Sequence, residues 1–162
     1  MKNFNFWLKL CLFNFFIVSV VGVMMRYKLA FSLPGFSHKF MQESHSHFAF
    51  YGWVSAAIYL FVTKYLTENN SGIAVSKYRF LQIFNQIGSY GMLITFLYGG
   101  YFWLSIVFSS VALFTGFAYY LFLLIDLRKN KNPETIWLKS GAFFATWSAI
   151  GIFGLGYFSA RK

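Results

Sequence analysis

The chain has 162 residues, of which 58% are hydrophobic, 24% aromatic and only 11% charged. A soluble domain carries about 25% charged residues to cover its surface, so this composition excludes an ordinary water-soluble fold and points to lipid as the outer solvent. The net charge of +10, from 14 Lys and Arg against 4 acids, would suggest nucleic acid in a soluble chain. Here the basic residues sit at the ends of apolar runs, among them Arg26, Lys28, Lys64, Lys77, Arg79 and Arg128. That placement suits lipid headgroups, and no nucleic-acid partner is expected.

A spanning helix needs about 20 mostly apolar residues, because each residue rises about 1.5 Å across a core about 30 Å thick. Five runs qualify, at roughly 6–25, 45–66, 78–98, 101–127 and 134–158. The expected fold is therefore all-α and integral to the membrane, a bundle of about five transmembrane helices forming one domain over residues 1–162.

The first run follows a basic start, Lys2 and Lys9, and its apolar stretch from Phe4 to Met25 exceeds a signal-peptide core of about 7–15 residues. No A-x-A site follows it, so it reads as a retained signal-anchor helix. Cys11, the single cysteine, lies inside this run and reads as a small apolar side chain. Pro34-Gly35 breaks the chain before the second run, and the polar cluster Asn69 to Gly72 breaks it after. The third run carries Gln82, Asn85, Gln86 and Ser89 at i, i+3, i+4 and i+7. Such a stripe must face protein rather than lipid, where it ties helices together. Gly99-Gly100 forces a tight hairpin into the fourth run. A basic loop from Arg128 ends at Pro133, where proline is tolerated just before a helix. Trp147, deep in the fifth run, is expected to pack inside.

Charge sets the orientation. Lys2, Lys9, Lys64, Lys77, Arg79, Arg128, Lys129, Lys131 and Lys139 fall on the N-terminal side, against Arg26, Lys28, Lys39, Arg161 and Lys162 on the other. The positive-inside rule makes the N-terminal side cytoplasmic. The expected location is the inner (cytoplasmic) membrane of a bacterium, multi-pass, with the C-terminus outside.

All three histidines lie on that outer side, as His38, His45 and His47. Histidine is the commonest metal ligand, and a membrane boundary supplies a low-dielectric wall. Together with Glu43 they form one candidate set for copper or zinc: His38, His45, His47 and Glu43. Helix geometry restricts it, because residues two apart point about 200° apart. His45 and His47 share an ion only if the segment is extended or the helix begins between them. His38 and His45, seven apart, share a face if the helix already includes His38, against which Pro34-Gly35 argues. The residues after His45 suit a flat cofactor instead. Ala49, Gly52 and Ala56 follow at i+4, i+7 and i+11, a smooth strip for a macrocycle or for a close helix contact. Arg26 ends the first run on the same side, where its planar fork suits a carboxylate such as a haem propionate, or a lipid phosphate.

The string His45-Ser46-His47-Phe48-Ala49-Phe50-Tyr51-Gly52-Trp53-Val54 resembles an H-x-H-x-x-x-x-G-W-V motif of short bacterial membrane proteins related to haem-copper (cytochrome c) oxidase subunit I. Nitric-oxide-response membrane proteins of the NnrS-like family look distantly similar. The resemblance spans residues 26–54. It implies a haem b bound through His45 or His47, with Arg26 and Gly52 beside it, and a role in electron transfer within a respiratory or nitric-oxide-related assembly. Other respiratory membrane subunits, or further copies of this chain, are the implied partners beside the lipid bilayer. Later runs carry no histidine, so oxygen reduction by this chain alone is not expected. A copper- or zinc-binding assembly protein and a cofactor-free structural subunit are the alternative readings.

Overall fold

The structure is a computed structural model that describes residues 3–69, 74–128 and 135–160, with residues 149–160 as backbone only. Lys2, Asn70 to Gly72, Lys129, Lys131, Pro133, Glu134, Arg161 and Lys162 lie outside the described residues. The fold is all-helical, with no strand among the described residues. Helix α1 covers Phe4–Ala30. Helix α2, His38–His47, runs directly into a π-helical segment, Phe48–Ser55, and on into α3, Ala56–Asn69. Helix α4 is Val75–Gly99, α5 is Trp103–Arg128 and α6 is Thr135–Ala160.

Each expected run is helical over most of its length; α1 and α4 extend beyond both expected ends, whereas α5 begins at Trp103, two residues after the expected Tyr101. The second differs most. Helix begins at His38 rather than His45, because the chain needs only two non-helical residues, Phe36 and the extended Ser37, to recover from the Pro34-Gly35 turn. Among the described residues two helices are long and apolar enough to cross a membrane by length and composition, α1 and α5, with mean hydropathy 2.2 and 1.9. Two of the other runs are interrupted or diluted. The second run is divided into pieces of 10, 8 and 14 residues by the π segment, and α4 is diluted by its amide stripe.

The chain forms two compact units, Met1–Ala112 and Leu113–Lys162. In the first, α1 runs antiparallel to α2, the π segment and α3. Trp7 and Cys11 meet Ala56 and Leu60 in a buried cluster at one end, where Lys64 Nζ also lies over the Phe4 ring at 4.6 Å. Gly22 meets His45 at the other. Helix α4 packs antiparallel to the same composite helix, with Ser44 Oγ donating to the Leu93 carbonyl at 2.8 Å and Phe48 edge-on to Tyr90.

Between these helices lies a polar layer. Asn14 Nδ2 donates to the Gly52 carbonyl at 2.5 Å and to Gln86 Oε1 at 2.9 Å, while Tyr90 donates its hydroxyl to Asn14 Oδ1 at 2.6 Å. Asn85 Nδ2 donates to the Tyr51 carbonyl at 2.8 Å. Both carbonyls belong to the π segment, whose wider coil leaves backbone oxygens open to side-chain donors. Through Asn85 and Gln86 the amide stripe ties helices, as expected, and Gln82, Asn85, Gln86 and Ser89 are all buried.

The turn after α4 is as tight as Gly99-Gly100 suggests. Gly100 has φ 62°, and a side chain there would also run into the Phe40 ring, so only glycine fits. Ser105 Oγ accepts from Phe102 N and donates to the Gly100 carbonyl, pinning the start of α5. Below this turn α4 and α5 approach closely at Gly88. A Cβ there would stand 3.1 Å from the Ala112 nitrogen and 3.2 Å from the Phe108 carbonyl oxygen. Backbone cannot swing aside as a side chain can, so Gly88→Val is expected to lower unfolding free energy by about 1–3 kcal/mol. A detergent-solubilised variant with an unshifted melting temperature would contradict this contact.

In the second unit, Tyr119, Leu123 and Leu127 are buried at four-residue spacing on α5, and Thr135 and Ala142 on α6. Trp147 departs from expectation: it is 58% exposed, standing with Phe143 on an outward aromatic face of α6.

Candidate functional site at the start of α2

The end of α1, the start of α2, the end of α4 and the turn into α5 meet at one end of the first unit. All three histidines are there, but they do not face one way. On α2 the spacing of His38, Gln42 and His45 (i, i+4, i+7) puts them on a single face, toward α1. On α1 the four-residue spacing of Val18, Gly22 and Arg26 builds the facing wall. Between the two lies a cavity of about 530 Å³, lined by these six residues with Ser19, Val23, Met25 and Leu29. Such a volume is within the range of small-molecule sites.

His45 packs against the smallest point of that wall. A Cβ at Gly22 would stand 3.1 Å from His45 Cε1 and 3.8 Å from Nδ1, so the ring edge rests on bare backbone. The Nδ1 atoms of His38 and His45 are both buried without a hydrogen-bond partner. Arg26 is exposed at the rim, and α1 continues past it to Ala30, held by Lys28 Nζ donating to the Leu33 carbonyl.

His47 faces the opposite way. Its ring stacks on Phe96 with centroids 4.5 Å apart and planes 4° apart, and its Nε2 lies 2.8 Å from the Tyr101 hydroxyl. Glu43, one turn earlier, shares this face. The pair lines a second cavity of about 320 Å³ with Lys39, Gln42, Ser46 and Tyr101.

Two expectations need correction. The four-residue metal set does not converge: α2 is helical throughout, so His38 and His45 face α1 while His47 and Glu43 face the α4–α5 turn. Among the described residues no group of three or more His, Cys, Asp or Glu could hold a metal ion. The smooth strip after His45 is not a cradle either. The Phe48 ring lies over Gly52, where a Cβ would meet it at 2.7 Å. Gly52 and Ala56 are buried, the former beside Asn14, and neither lines the His45 cavity. The π segment causes this, because it rotates later residues off the α-helical phase.

Sequence reasoning grouped His45 with Arg26 for haem and, separately, with His38 for a metal, whereas all three line one cavity. It missed Gly22, whose only signal was a small residue one turn before Arg26, and Tyr101, which follows the Gly99-Gly100 hairpin. No family model matches the chain, and no curated protein or solved structure matches it either.

Proposed function

We propose that the chain is a multi-pass subunit of a bacterial cytoplasmic membrane, spanning it five times, that holds a haem b in the α1–α2 cavity and serves one-electron transfer in a respiratory or nitric-oxide-related assembly. The observation that carries the site is the convergence of His38, His45 and Arg26 on one cavity from two helices. The residues fit the group. Two imidazoles with unpartnered nitrogens offer axial ligation, Arg26 at the rim offers a fork for a propionate, and Val18, Val23 and Leu29 supply apolar wall. Haem, when bound, supplies a one-electron couple. His45 is the favoured ligand over His47, which is occupied by Tyr101 and Phe96. Copper or zinc alone fits this cavity less well, because two imidazoles fall short of the four ligands of a closed zinc site.

The membrane reading rests on an inside-out distribution. Asn14, Gln82, Asn85 and Ser89 are buried, whereas Phe13, Phe16, Phe61, Phe80, Ile87 and Ile94 are exposed. In water that arrangement would cost on both counts; in lipid both are favourable. The α2–π–α3 helix, α4 and α6 are then further spans, and the positive-inside count places the cavity on the outer face.

The test is the absorbance spectrum of the detergent-purified chain. A Soret band is expected in the unaltered protein and in His47→Ala, and its loss in His45→Ala. Arg26→Gln should weaken haem retention by about tenfold or less, since an exposed charge pair contributes little. A colourless protein that takes up no added haemin, or a His45→Ala variant with an unchanged Soret band, would overturn the reading.

A further inference from the structure

The second cavity carries chemistry that the haem reading does not use. Glu43 and His47 are four residues apart on α2, so their side chains stand on one face a turn apart. Tyr101 arrives from the opposite direction, held by the glycine turn after α4. Glu43 Oε2 is buried and has no hydrogen-bond partner, and it lies 3.1 Å from where a Cβ at Gly100 would stand. A buried carboxylate oxygen with nothing to accept from is costly unless a cation or a proton meets it. Lys39, from the same helix face, is exposed at the rim, and among the described residues no ion pair joins it to Glu43.

Two of the three donors stand at ligand spacing. His47 Nε2 and Tyr101 Oη are 2.8 Å apart. Ligands bound to one ion at about 2.0–2.2 Å lie about 3 Å from each other, so these two atoms already stand at the separation of neighbouring ligands. Stacking on Phe96 fixes the imidazole plane, which lowers the ordering cost of binding.

We propose that Glu43, His47 and Tyr101 form a site for a divalent transition-metal ion, separate from the α1–α2 cavity. The ion takes the Glu43 carboxylate, His47 Nε2 and the Tyr101 oxygen, and water completes the sphere, the pattern of three protein ligands and one open position. Binding replaces the His47–Tyr101 hydrogen bond with two bonds to the metal, and the proton of that hydrogen bond is released to water. Oxygen and imidazole donors of this kind suit Cu²⁺ or Zn²⁺.

Copper(II) is the probe, because it binds such donors most tightly of the first-row ions. The full chain, purified in detergent without a histidine tag and stripped with chelator, is titrated with Cu²⁺ and followed by electron paramagnetic resonance. One equivalent is expected to bind with nitrogen hyperfine coupling from a single imidazole. Glu43→Gln and His47→Gln should each weaken binding at least tenfold, and Tyr101→Phe should weaken it and alter the spectrum. The double variant His38→Ala, His45→Ala should bind copper as before, whether or not it retains haem. Unchanged binding in both Glu43→Gln and His47→Gln, loss of binding in the double variant, or a spectrum with two imidazoles would each overturn the proposal. The conservative Glu43→Gln and Tyr101→Phe keep volume and helix content, so circular dichroism separates loss of metal from loss of fold.

Discussion

Replacing Asn14 by leucine is expected to lower the unfolding free energy by about 2–4 kcal/mol. The side chain makes three hydrogen bonds, to the Gly52 carbonyl, to Gln86 and from Tyr90. Hydrogen bonds between membrane helices average about 0.6 kcal/mol each, which sets the lower figure. The upper one follows because leucine strands its partners. The Gly52 carbonyl sits in the π segment, where Asn14 is the donor that meets it, and buried groups left without a partner cost about 1–3 kcal/mol each. Gln86 and Tyr90 can turn toward other groups, which keeps the sum below the maximum. Denaturation in mixed micelles, followed by circular dichroism, measures the difference. A loss under about 0.5 kcal/mol would mean that the polar layer is not what joins α1 to the π segment and α4.

Filling the α1–α2 cavity from its glycine is expected to have the larger functional effect. In Gly22→Leu the new side chain must displace the His45 ring, whose Cε1 already stands 3.1 Å from the Cβ position, or occupy the space in front of it. Either outcome removes His45 from a ligand in the cavity. Haem content, read as the pyridine haemochrome, should fall at least tenfold, while leucine adds helix propensity relative to glycine and helix content holds. Gly141→Leu is the matched control, because nothing lies within 4 Å of its Cβ position. Equal haem content in the two variants would show that the cavity is not the binding place.

The helices were legible in the sequence because apolar run length and Gly-Gly or Pro-Gly breaks are local signals. The amide stripe on α4 was legible for the same reason: its i, i+3, i+4, i+7 spacing needs only a regular helix. The placement of the histidines was half legible. The opposite facing of His45 and His47 follows from helix periodicity once the helix is known to start at His38, and Pro34-Gly35 obscured that start. The fate of Gly52 was not legible. Its spacing from His45 presumes an unbroken α-helix, and nothing in Phe48 to Ser55 marks a change of hydrogen-bond pattern. The π-segment oxygens that Asn14 and Asn85 meet are backbone atoms, identical at every position of the sequence, so these partners emerge only when the chain is folded. Tyr101 was hidden differently, since its partnership with His47 joins residues 54 apart in the chain.

The π segment also bears on how such a chain changes over generations. A helix with i→i+5 bonding carries a surplus of chain relative to an α-helix, and a one-residue insertion into a regular helix is the simplest event that produces it. The insertion leaves α3 seated on the Trp7 end of α1 and turns α2 as a block about the common axis. The direction in which His38 and His45 look is therefore adjustable without disturbing the packed half of the same rod. A lineage could redirect its ligands by gaining or losing a single residue there, with no substitution at the histidines themselves.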